Sequence, residues 1–196
     1  MVSDSSTIVD VGVIHGRFQI LHNDHLKYLL AGKDLCRHLV IGITNPDPVL
    51  TRVDYTNPER SSLLANPLTY YERYVMLRKV LSENGLAPDE YSIVPLPINL
   101  PDLYKYYVPL DALFFLSIYD EWGRQKLRFF NSLGLKTRVL WERPLEQKGL
   151  TSHAIRTAIM EEKPWQQLVP SPVPALMEQW QIRERLLSLR QKARTD

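Results

Sequence analysis

Short apolar runs alternate with amphipathic stretches along the first three quarters of the chain. Five runs are rich in β-branched or aromatic residues, as buried strands are: residues 8–14, 38–44, 92–96, 111–116 and 136–141. Between them, apolar residues recur at helical spacing after residue 25, over 70–84 and over 121–133. This alternation predicts an α/β fold, a Rossmann-like five-stranded parallel sheet with helices on both faces.

Turn chemistry marks several of these boundaries. Thr69 precedes Glu72 at capping-box spacing, and Gly85 and Gly134 follow two predicted helices. Residues 103–108 predict a short aromatic helix. After residue 150 the alternation stops, and the pattern predicts one helix over 151–162 and another over 174–192. We therefore expect a single domain over 1–196, with a Rossmann-like core at 7–145 and C-terminal helices at 151–193.

One connection is unusually long. Residues 45–66 contain Pro46, Pro48 and Pro58 among scattered charges, which is too broken for regular structure. Loops of this length are typically lids, binding loops or oligomer contacts.

Composition narrows the classes of function. The formal charge is +2 over 196 residues, so the overall charge of the chain does not indicate binding to nucleic acid or to an anionic membrane. No apolar run reaches a membrane span, and the first seven residues lack the features of a signal peptide. The single cysteine, Cys36, lies at the end of a predicted helix and is expected to be a partly buried thiol in a reducing compartment. We expect a cytoplasmic protein.

The candidate chemistry lies directly after the first strand. His22 and His25 stand three residues apart, at a turn between that strand and a helix that includes Leu26, Leu29 and Leu30. Helix N-termini present unpaired amides and a favourable dipole to anions, and imidazoles add donors. The turn is therefore a candidate triphosphate site. A zinc site is disfavoured, because no other histidine has ligand spacing to this pair.

Three motifs resemble one known superfamily, in the same order along the chain. Gly-Arg-Phe-Gln at residues 16–19 precedes the two histidines, Asn-Pro-Leu-Thr-x-x-Glu-Arg occupies 66–73, and Thr-Ser-His-Ala-Ile-Arg occupies 151–156. Together they resemble the nucleotidyltransferases with a His-x-Gly-His signature, and more narrowly the archaeal-type nicotinamide-mononucleotide adenylyltransferases. Residues 165–173 are similar to a further stretch of that family.

The resemblance implies transfer of a nucleotidyl group from a nucleoside triphosphate to a phosphate-bearing acceptor, with release of pyrophosphate. Magnesium carried by the triphosphate is the implied metal, because it prefers phosphate oxygens and water. The implied residues fall into a catalytic, a nucleotide-binding and an acceptor-binding group. The implied catalytic residues are Arg17, His22, His25 and Arg156. The implied nucleotide-binding residues are Gly16, Phe18, Asp24, Arg73, Thr151 and Ser152. The implied acceptor-binding residues are Asn99 and Tyr104.

Several of these residues also have a structural interpretation. Thr151 and Ser152 either cap their helix or meet a phosphate. Tyr104 stands where the family has an aromatic residue that stacks on nicotinamide, or it packs a short helix on the sheet. The basic residues of the C-terminal helix are expected to form the solvated face of an amphipathic helix. A contact through this helix between subunits of a homo-oligomer stays an open alternative.

Two departures from the family bear on the substrate. Asp24 replaces the glycine between the histidines, so its side chain points away from the nucleotide or meets it. After the fourth strand, residues 115–120 replace a Ser-Gly-Asn type turn. Three functions stay open: an adenylyltransferase using ATP and nicotinamide or nicotinate mononucleotide; a cytidylyltransferase using CTP and a small phosphate or phosphonate; and a nucleotide-binding sensor without turnover.

Overall fold

Five parallel strands form the centre of the protein, for which a computed structural model describes residues 8–51 and 61–194. The strands lie in the order β3-β2-β1-β4-β5. Their bounds are β1 Val9–Gly16, β2 Cys36–Ile43, β3 Tyr91–Pro95, β4 Leu113–Ile118 and β5 Lys136–Glu142.

Six α-helices surround or extend this sheet within the described residues. Three follow strands β1, β2 and β4, and three follow β5. Their bounds are α1 Asn23–Lys33, α2 Tyr70–Glu83, α3 Glu121–Ser132, α4 Ser152–Met160, α5 Val173–Gln179 and α6 Ile182–Lys192. Short 3-10 helices lie at Pro101–Tyr106, Leu145–Gln147 and Gln166–Leu168.

The two faces of the sheet carry separate cores, because neighbouring residues of a strand point to opposite faces. Ile14 belongs to a large core that includes residues of α1, α2 and the C-terminal helices. Val13 belongs to a smaller core with Tyr104 and with Phe130 of α3. The predicted fold, with helices on both faces and a C-terminal helical extension, is confirmed.

All five predicted strands are present, each within two residues of its predicted ends. Strand β4 runs on to Ile118, so most of the segment that replaces the family's Ser-Gly-Asn type turn is strand. Cys36 is the first residue of β2 rather than the end of a helix, because α1 ends at Lys33. The residue is 3% exposed, more buried than expected, and its thiol donates to the carbonyl of Gly32.

Helix ends follow the turn chemistry more closely in the core than in the extension. The capping box of Thr69 and Glu72 is present at the start of α2, and Gly85 and Gly134 have φ of 84° and 73°. Thr151 caps α4. The single helix predicted over 174–192 is wrong: α5 ends at Gln179, and Gln181 has a left-handed φ of 51° before α6. The aromatic segment forms a 3-10 helix.

The long loop is described only at its two ends. Residues 44–51 and 62–65 form bends and turns, while 52–60 of the predicted loop lie outside the described residues. In the described ranges, no helix has both the length and the apolar character needed to cross a membrane.

The sheet opens between its middle strand, β1, and the neighbouring strand β4. The described ladder between β1 and β4 pairs Gly12 with Leu113 and Val13 with Phe114, whereas β1 stays paired with β2 as far as Gly16. Because the connections from β1 and β4 lead to opposite faces, this gap is the topological switch point, where open α/β sheets bind ligands.

Candidate active site

His22 is the N-cap of α1. Its Nδ1 accepts a hydrogen bond from the backbone N–H of His25, at 3.3 Å. An imidazole nitrogen that accepts carries no proton, so the neutral ring holds its proton on Nε2. The cap therefore leaves His22 with one N–H to donate to a ligand.

His25 lies directly against His22. The two rings stack with centroids 3.7 Å apart and an interplanar angle of 20°. The edge of Phe18 supports the other side of His25, at 5.2 Å and 70°. Phe18 is fully buried, and a Cβ on Gly16 would overlap its ring. Gly16 and Phe18, both predicted to bind the nucleotide, thus help to fix the position of His25. The side chain of Phe18 does not face a ligand.

Both imidazoles are held neutral. Burial lowers the pKa of His22 to about 4, although the nearby Asp24 carboxylate opposes the shift. Burial, His22 and the charge of Arg17 all lower the pKa of His25. Two stacked imidazolium ions would repel each other, which also favours the neutral form of both rings. A neutral imidazole can donate its N–H to an anion. A bound anion would also compensate the charge of any proton that the histidine pair takes up. Nδ1 of His25 is buried and has no hydrogen-bond partner within the described residues.

Arg73 does not have its predicted phosphate-binding role. Its side chain is 1% exposed, and the guanidinium donates five hydrogen bonds to backbone carbonyls. A guanidinium has five N–H donors, so none is left for a phosphate. Its partners come from the loops after β1 and β2 and from the start of α2. The carbonyls are those of Arg17, Thr44, Asn45, Pro46 and Thr69.

Arg156, which the resemblance places in the catalytic group, is different. It donates to the carbonyl of Gln19 as its one hydrogen bond within the described part of the chain, which leaves further N–H donors. Burial lowers its pKa only to about 10, so it keeps its charge at neutral pH. Ser152, one turn earlier on α4, donates its hydroxyl to the carbonyl of Ile20 at 2.9 Å. Both residues fasten α4 to the segment just before the histidines.

Asp24 points away from a nucleotide at the histidines and toward the loop before α4. Its carboxylate accepts from the backbone N–H of Leu150 at 2.7 Å and from Lys27 at 3.3 Å. Gly149 lies beside it with φ of 67°, and a Cβ on Gly149 would overlap the carboxylate. The predicted nucleotide contact is therefore replaced by a bond between the start of α1 and the start of the α4 motif. The Thr151 hydroxyl caps α4, accepting from the N–H of Ala154, and so takes the helix-capping alternative.

Gln19 is a residue whose role the sequence reasoning missed. Its side-chain amide is fully buried and makes a reciprocal pair with Leu68, donating to the carbonyl at 3.0 Å and accepting from the N–H at 2.8 Å. The feature of the sequence that indicated a role for Gln19 was its polar amide within the Gly-Arg-Phe-Gln motif. Its structural consequence is that the first and second motifs are fastened together.

The predicted acceptor residues do not join this cluster. Tyr104 is 1% exposed, packs edge-on against Phe130, and donates its hydroxyl to the carbonyl of Ile98. A ring so enclosed has no face for nicotinamide, so the stacking prediction is corrected in favour of core packing. Asn99 is exposed in the turn after β3.

Metal ligands are not grouped in the described residues: no set of three or more histidine, cysteine, aspartate or glutamate side chains lies together there. The carboxylate nearest the histidine pair in sequence is Asp24, which is engaged by Leu150 and Lys27. A divalent cation at this site would therefore draw its oxygens from a bound polyphosphate and water.

Comparisons with known proteins agree with this arrangement. The profile of a family described as cytidylyltransferase-like matches residues 13–158. A phosphonoformate cytidylyltransferase from Streptomyces viridochromogenes is 46% identical over 179 residues, covering 91% of this chain and 96% of that protein. A nicotinamide-nucleotide adenylyltransferase from Thermococcus sibiricus is 30% identical over 180 residues, covering 91% and 88%.

The fold also matches solved structures. A bifunctional NMN adenylyltransferase/ADP ribose pyrophosphatase from Francisella tularensis, solved with AMP and a manganese ion, superposes with a TM-score of 0.64 at 15% identity. The match covers 93% of this chain and 52% of that one, so this chain spans about half its length.

The fold and the paired histidines define a Rossmann-like nucleotidyltransferase of the His-x-Gly-His superfamily. Within that class, the chain belongs to the cytidylyltransferase-like family.

Proposed function

We propose that the protein transfers CMP from CTP to a small phosphonate that also carries a carboxylate, of the phosphonoformate type, and releases pyrophosphate. The observation that carries this choice of substrates is the 46% identity to a phosphonoformate cytidylyltransferase across 91% of the chain. Asp24 in place of the family's glycine and the buried ring of Tyr104 both distinguish this site from the nicotinamide-nucleotide pattern, in accord with that choice.

The reaction is an in-line displacement at phosphorus. A phosphonate oxygen forms a bond to the α-phosphorus of CTP, the bond from that phosphorus to the bridging oxygen breaks, and pyrophosphate leaves with the electron pair. No covalent enzyme intermediate is required. Catalysis therefore rests on positioning and on stabilising the negative charge that spreads over the phosphoryl oxygens.

His22 and His25 are assigned to the triphosphate. His22 has Nε2–H available because its Nδ1 caps α1, and His25 is held against it by Phe18. Both rings stand at the positive end of the α1 dipole, where anions are favoured. Negative charge that develops on the leaving pyrophosphate makes its oxygens better acceptors, so the hydrogen bonds that the imidazoles donate strengthen as the reaction proceeds.

The two arginines near this turn complete the phosphate side. Arg156 reaches the Gln19 carbonyl from α4 and keeps donors for a phosphate. Arg17 is partly exposed, and its charge acts on His25. Guanidinium groups suit phosphate oxygens because of their planar fork of donors. Arg73 takes no part in this role.

Magnesium is proposed as the metal, delivered with the triphosphate. The Francisella structure that shares this fold was solved with AMP and a manganese ion. In this chain the engaged carboxylate of Asp24 accords with a metal held by phosphate oxygens and water. When bound, the ion neutralises part of the triphosphate charge.

A second candidate is an adenylyltransferase that joins ATP to nicotinamide or nicotinate mononucleotide, as in NAD biosynthesis. It is favoured by the 30% identity to a nicotinamide-nucleotide adenylyltransferase. The third function, a sensor that binds a nucleotide without turnover, is disfavoured because both histidines and Arg156 are present with donors facing the turn.

The test is release of pyrophosphate. CTP, ATP, GTP and UTP are each paired with phosphonoformate, nicotinamide mononucleotide and nicotinate mononucleotide, with magnesium present. We expect the highest kcat/KM for CTP with phosphonoformate. Highest activity with ATP and a mononucleotide would select the second candidate, and nucleotide binding without pyrophosphate release would select the sensor.

The setting of this activity is part of the proposal. We place the protein in the cytoplasm, acting on small molecules rather than on nucleic acid or a membrane. The single cysteine and the near balance of charge support that setting. The one-domain division and a homo-oligomer formed through α6 stay predictions.

A further inference from the structure

His15 lies at the carboxyl end of β1, on the other side of the strand from the large core. It follows Val13 by two residues, so both side chains point to the α3 face of the sheet. Val13 forms the last described pair with β4, and His15 therefore stands where the sheet opens at its switch point. No part of the proposed phosphate site uses this residue.

The imidazole of His15 is buried without hydrogen bonds. The residue is 7% exposed, and neither Nδ1 nor Nε2 has a partner within the described residues. Buried polar atoms in proteins are nearly always paired, so an orphaned donor and acceptor in one ring indicate a missing partner. Burial and the charge of Lys126 lower the pKa of His15, which holds the ring neutral in the absence of a ligand.

The face of α3 that covers His15 carries a cation and two aromatic rings. Trp122, Lys126 and Phe130 follow one another at intervals of four residues and thus share one face of the helix. Phe130 lies 5.3 Å from the His15 ring, centroid to centroid, and the Lys126 ammonium lies 4.6 Å from the centre of the Trp122 ring. Lys126 is the charge that acts on His15. The surroundings therefore favour an anion.

We propose that His15 and Lys126 form a subsite for the carboxylate of the acceptor, across the switch-point crevice from His22 and His25. The inference rests on the proposed function. An N–H of His15 would donate to one carboxylate oxygen, and the Lys126 ammonium would supply the opposite charge.

This division suits a small acceptor with two anionic groups. The phosphonate must stay free to attack the α-phosphorus, so the enzyme has to hold the molecule by its other end. The histidine pair lies on the α1 side of β1, and His15 lies on the α3 side. A triphosphate and an acceptor bound on opposite sides of the crevice approach each other from opposite directions, as in-line displacement requires.

The test compares two acceptors and three variants. His15→Phe replaces the imidazole by an apolar ring, Lys126→Gln removes the charge, and Arg128→Gln removes a charge from the exposed side of the same helix as the control. Steady-state pyrophosphate release is measured with CTP and either phosphonoformate or methylphosphonate, which lacks the carboxylate. Thermal unfolding shows which variants fold.

We expect both site variants to raise KM for phosphonoformate about ten-fold or more, the usual effect of losing a hydrogen bond to a charged group. KM for CTP and for methylphosphonate should stay within about two-fold of wild type, as in the control. Unchanged KM for phosphonoformate in Lys126→Gln, or an equal rise for both acceptors, would overturn the subsite. If His15→Phe fails to fold, the Lys126→Gln comparison decides.

A binding measurement separates this inference from the proposed function. In wild-type protein, phosphonoformate should shift the imidazole nitrogen resonances of His15, and equimolar methylphosphonate should not. Shifts without turnover for any substrate pair would keep the subsite and reject the cytidylyltransferase. Turnover without such shifts would reject the subsite alone.

Discussion

The N-termini of helices α1 and α2 both carry side chains with hydrogen-bond donors and acceptors, but these groups are engaged differently at the two helices. At α2, Thr69 and Glu72 satisfy each other's backbone groups, and Arg73 donates all five N–H groups to carbonyls. At α1, His22 satisfies one backbone N–H and keeps its second ring nitrogen, while His25 keeps a buried nitrogen without a partner within the described residues. One helix start is internally complete, and the other is prepared for a ligand.

The difference teaches that family motifs mix two kinds of residue. Glu72 also receives two hydrogen bonds of 2.8 Å from Arg185 of α6, so the α2 start anchors the C-terminal extension. That contact corrects the prediction that the basic residues of this helix form only a solvated face. The α2 motif stabilises the frame around the α1 motif, which we propose binds the triphosphate.

The comparison predicts its largest effect at Arg73. Arg73→Met should lower the free energy of unfolding by about 3 kcal/mol or more, because buried carbonyls lose their donors. The matched control is Arg78→Met, an exposed position on the same helix. Chemical denaturation measures both. A loss of turnover in Arg73→Met with wild-type stability would show that Arg73 acts on the ligand after all.

His25→Ala should give the reverse result. We expect kcat to fall about a hundred-fold or more, since a donor aimed at developing charge is removed, while the fold is retained. His153→Ala, at an exposed histidine of α4, serves as the control. Turnover within a few-fold of wild type would contradict the assigned role.

Asp24, at the start of α1, already has hydrogen-bond partners within the protein. We therefore expect its substitution to have a smaller effect. Asp24→Ala should cost about 1–2 kcal/mol of unfolding free energy, because the Leu150 N–H loses a charged acceptor. Asp24→Asn keeps an acceptor oxygen and should cost less. Hydrogen exchange at the Leu150 amide reports the bond directly. Unchanged protection in the alanine variant would show that the bond is not formed in solution.

The smallest expected effect is the change in stability between pH 6.5 and pH 5.5 that comes from the cap of α1. The folded-state pKa of His22 is about 4 against an ordinary 6.5, so the unfolded chain takes up the proton first as pH falls. Stability from His22 is therefore complete above pH 6.5 and declines toward pH 4, by about 1 kcal/mol over the first pH unit.

His22→Asn keeps a good N-cap without a titrating group, and its stability should depend less on pH than that of wild type. The pKa of His15 is lowered by burial and by Lys126, so His15 contributes equally in both proteins. His22 is one of the causes that lower the pKa of His25, so the difference between the two proteins reports the stacked pair of His22 and His25. Equal pH profiles for the two proteins would mean that His22 is not buried in the neutral form.

The sequence predicted the sheet and the position of the two histidines in the fold well, because those depend on local patterns. Alternating buried runs located all five strands, and the motif spacing located both histidines at one helix start. The break between α5 and α6 escaped prediction, since neither a glycine nor a proline marks the left-handed Gln181. Its backbone angles are set by tertiary packing rather than by local propensity.

The roles of Arg73, Arg156 and Asp24 were beyond reach for a different reason. An arginine's function depends on how many of its donors are already engaged, and those partners lie up to 137 residues away in the chain. Motif spacing therefore could not show that Arg73 has all its donors engaged while Arg156 keeps several. The buried amide of Gln19 likewise had no local signal for its partner Leu68.

The contact of Asp24 with Leu150 and Gly149 has a consequence for protein engineering. The carboxylate at residue 24, held by the Leu150 amide, leaves no room for a side chain at residue 149. Grafting the glycine form of the histidine motif into this chain would leave the Leu150 amide without its acceptor, and grafting the aspartate form elsewhere would fail beside any larger residue at that position. Recombination between the two kinds of enzyme should therefore exchange residues 22–25 and 148–152 as one block, although more than a hundred positions separate them.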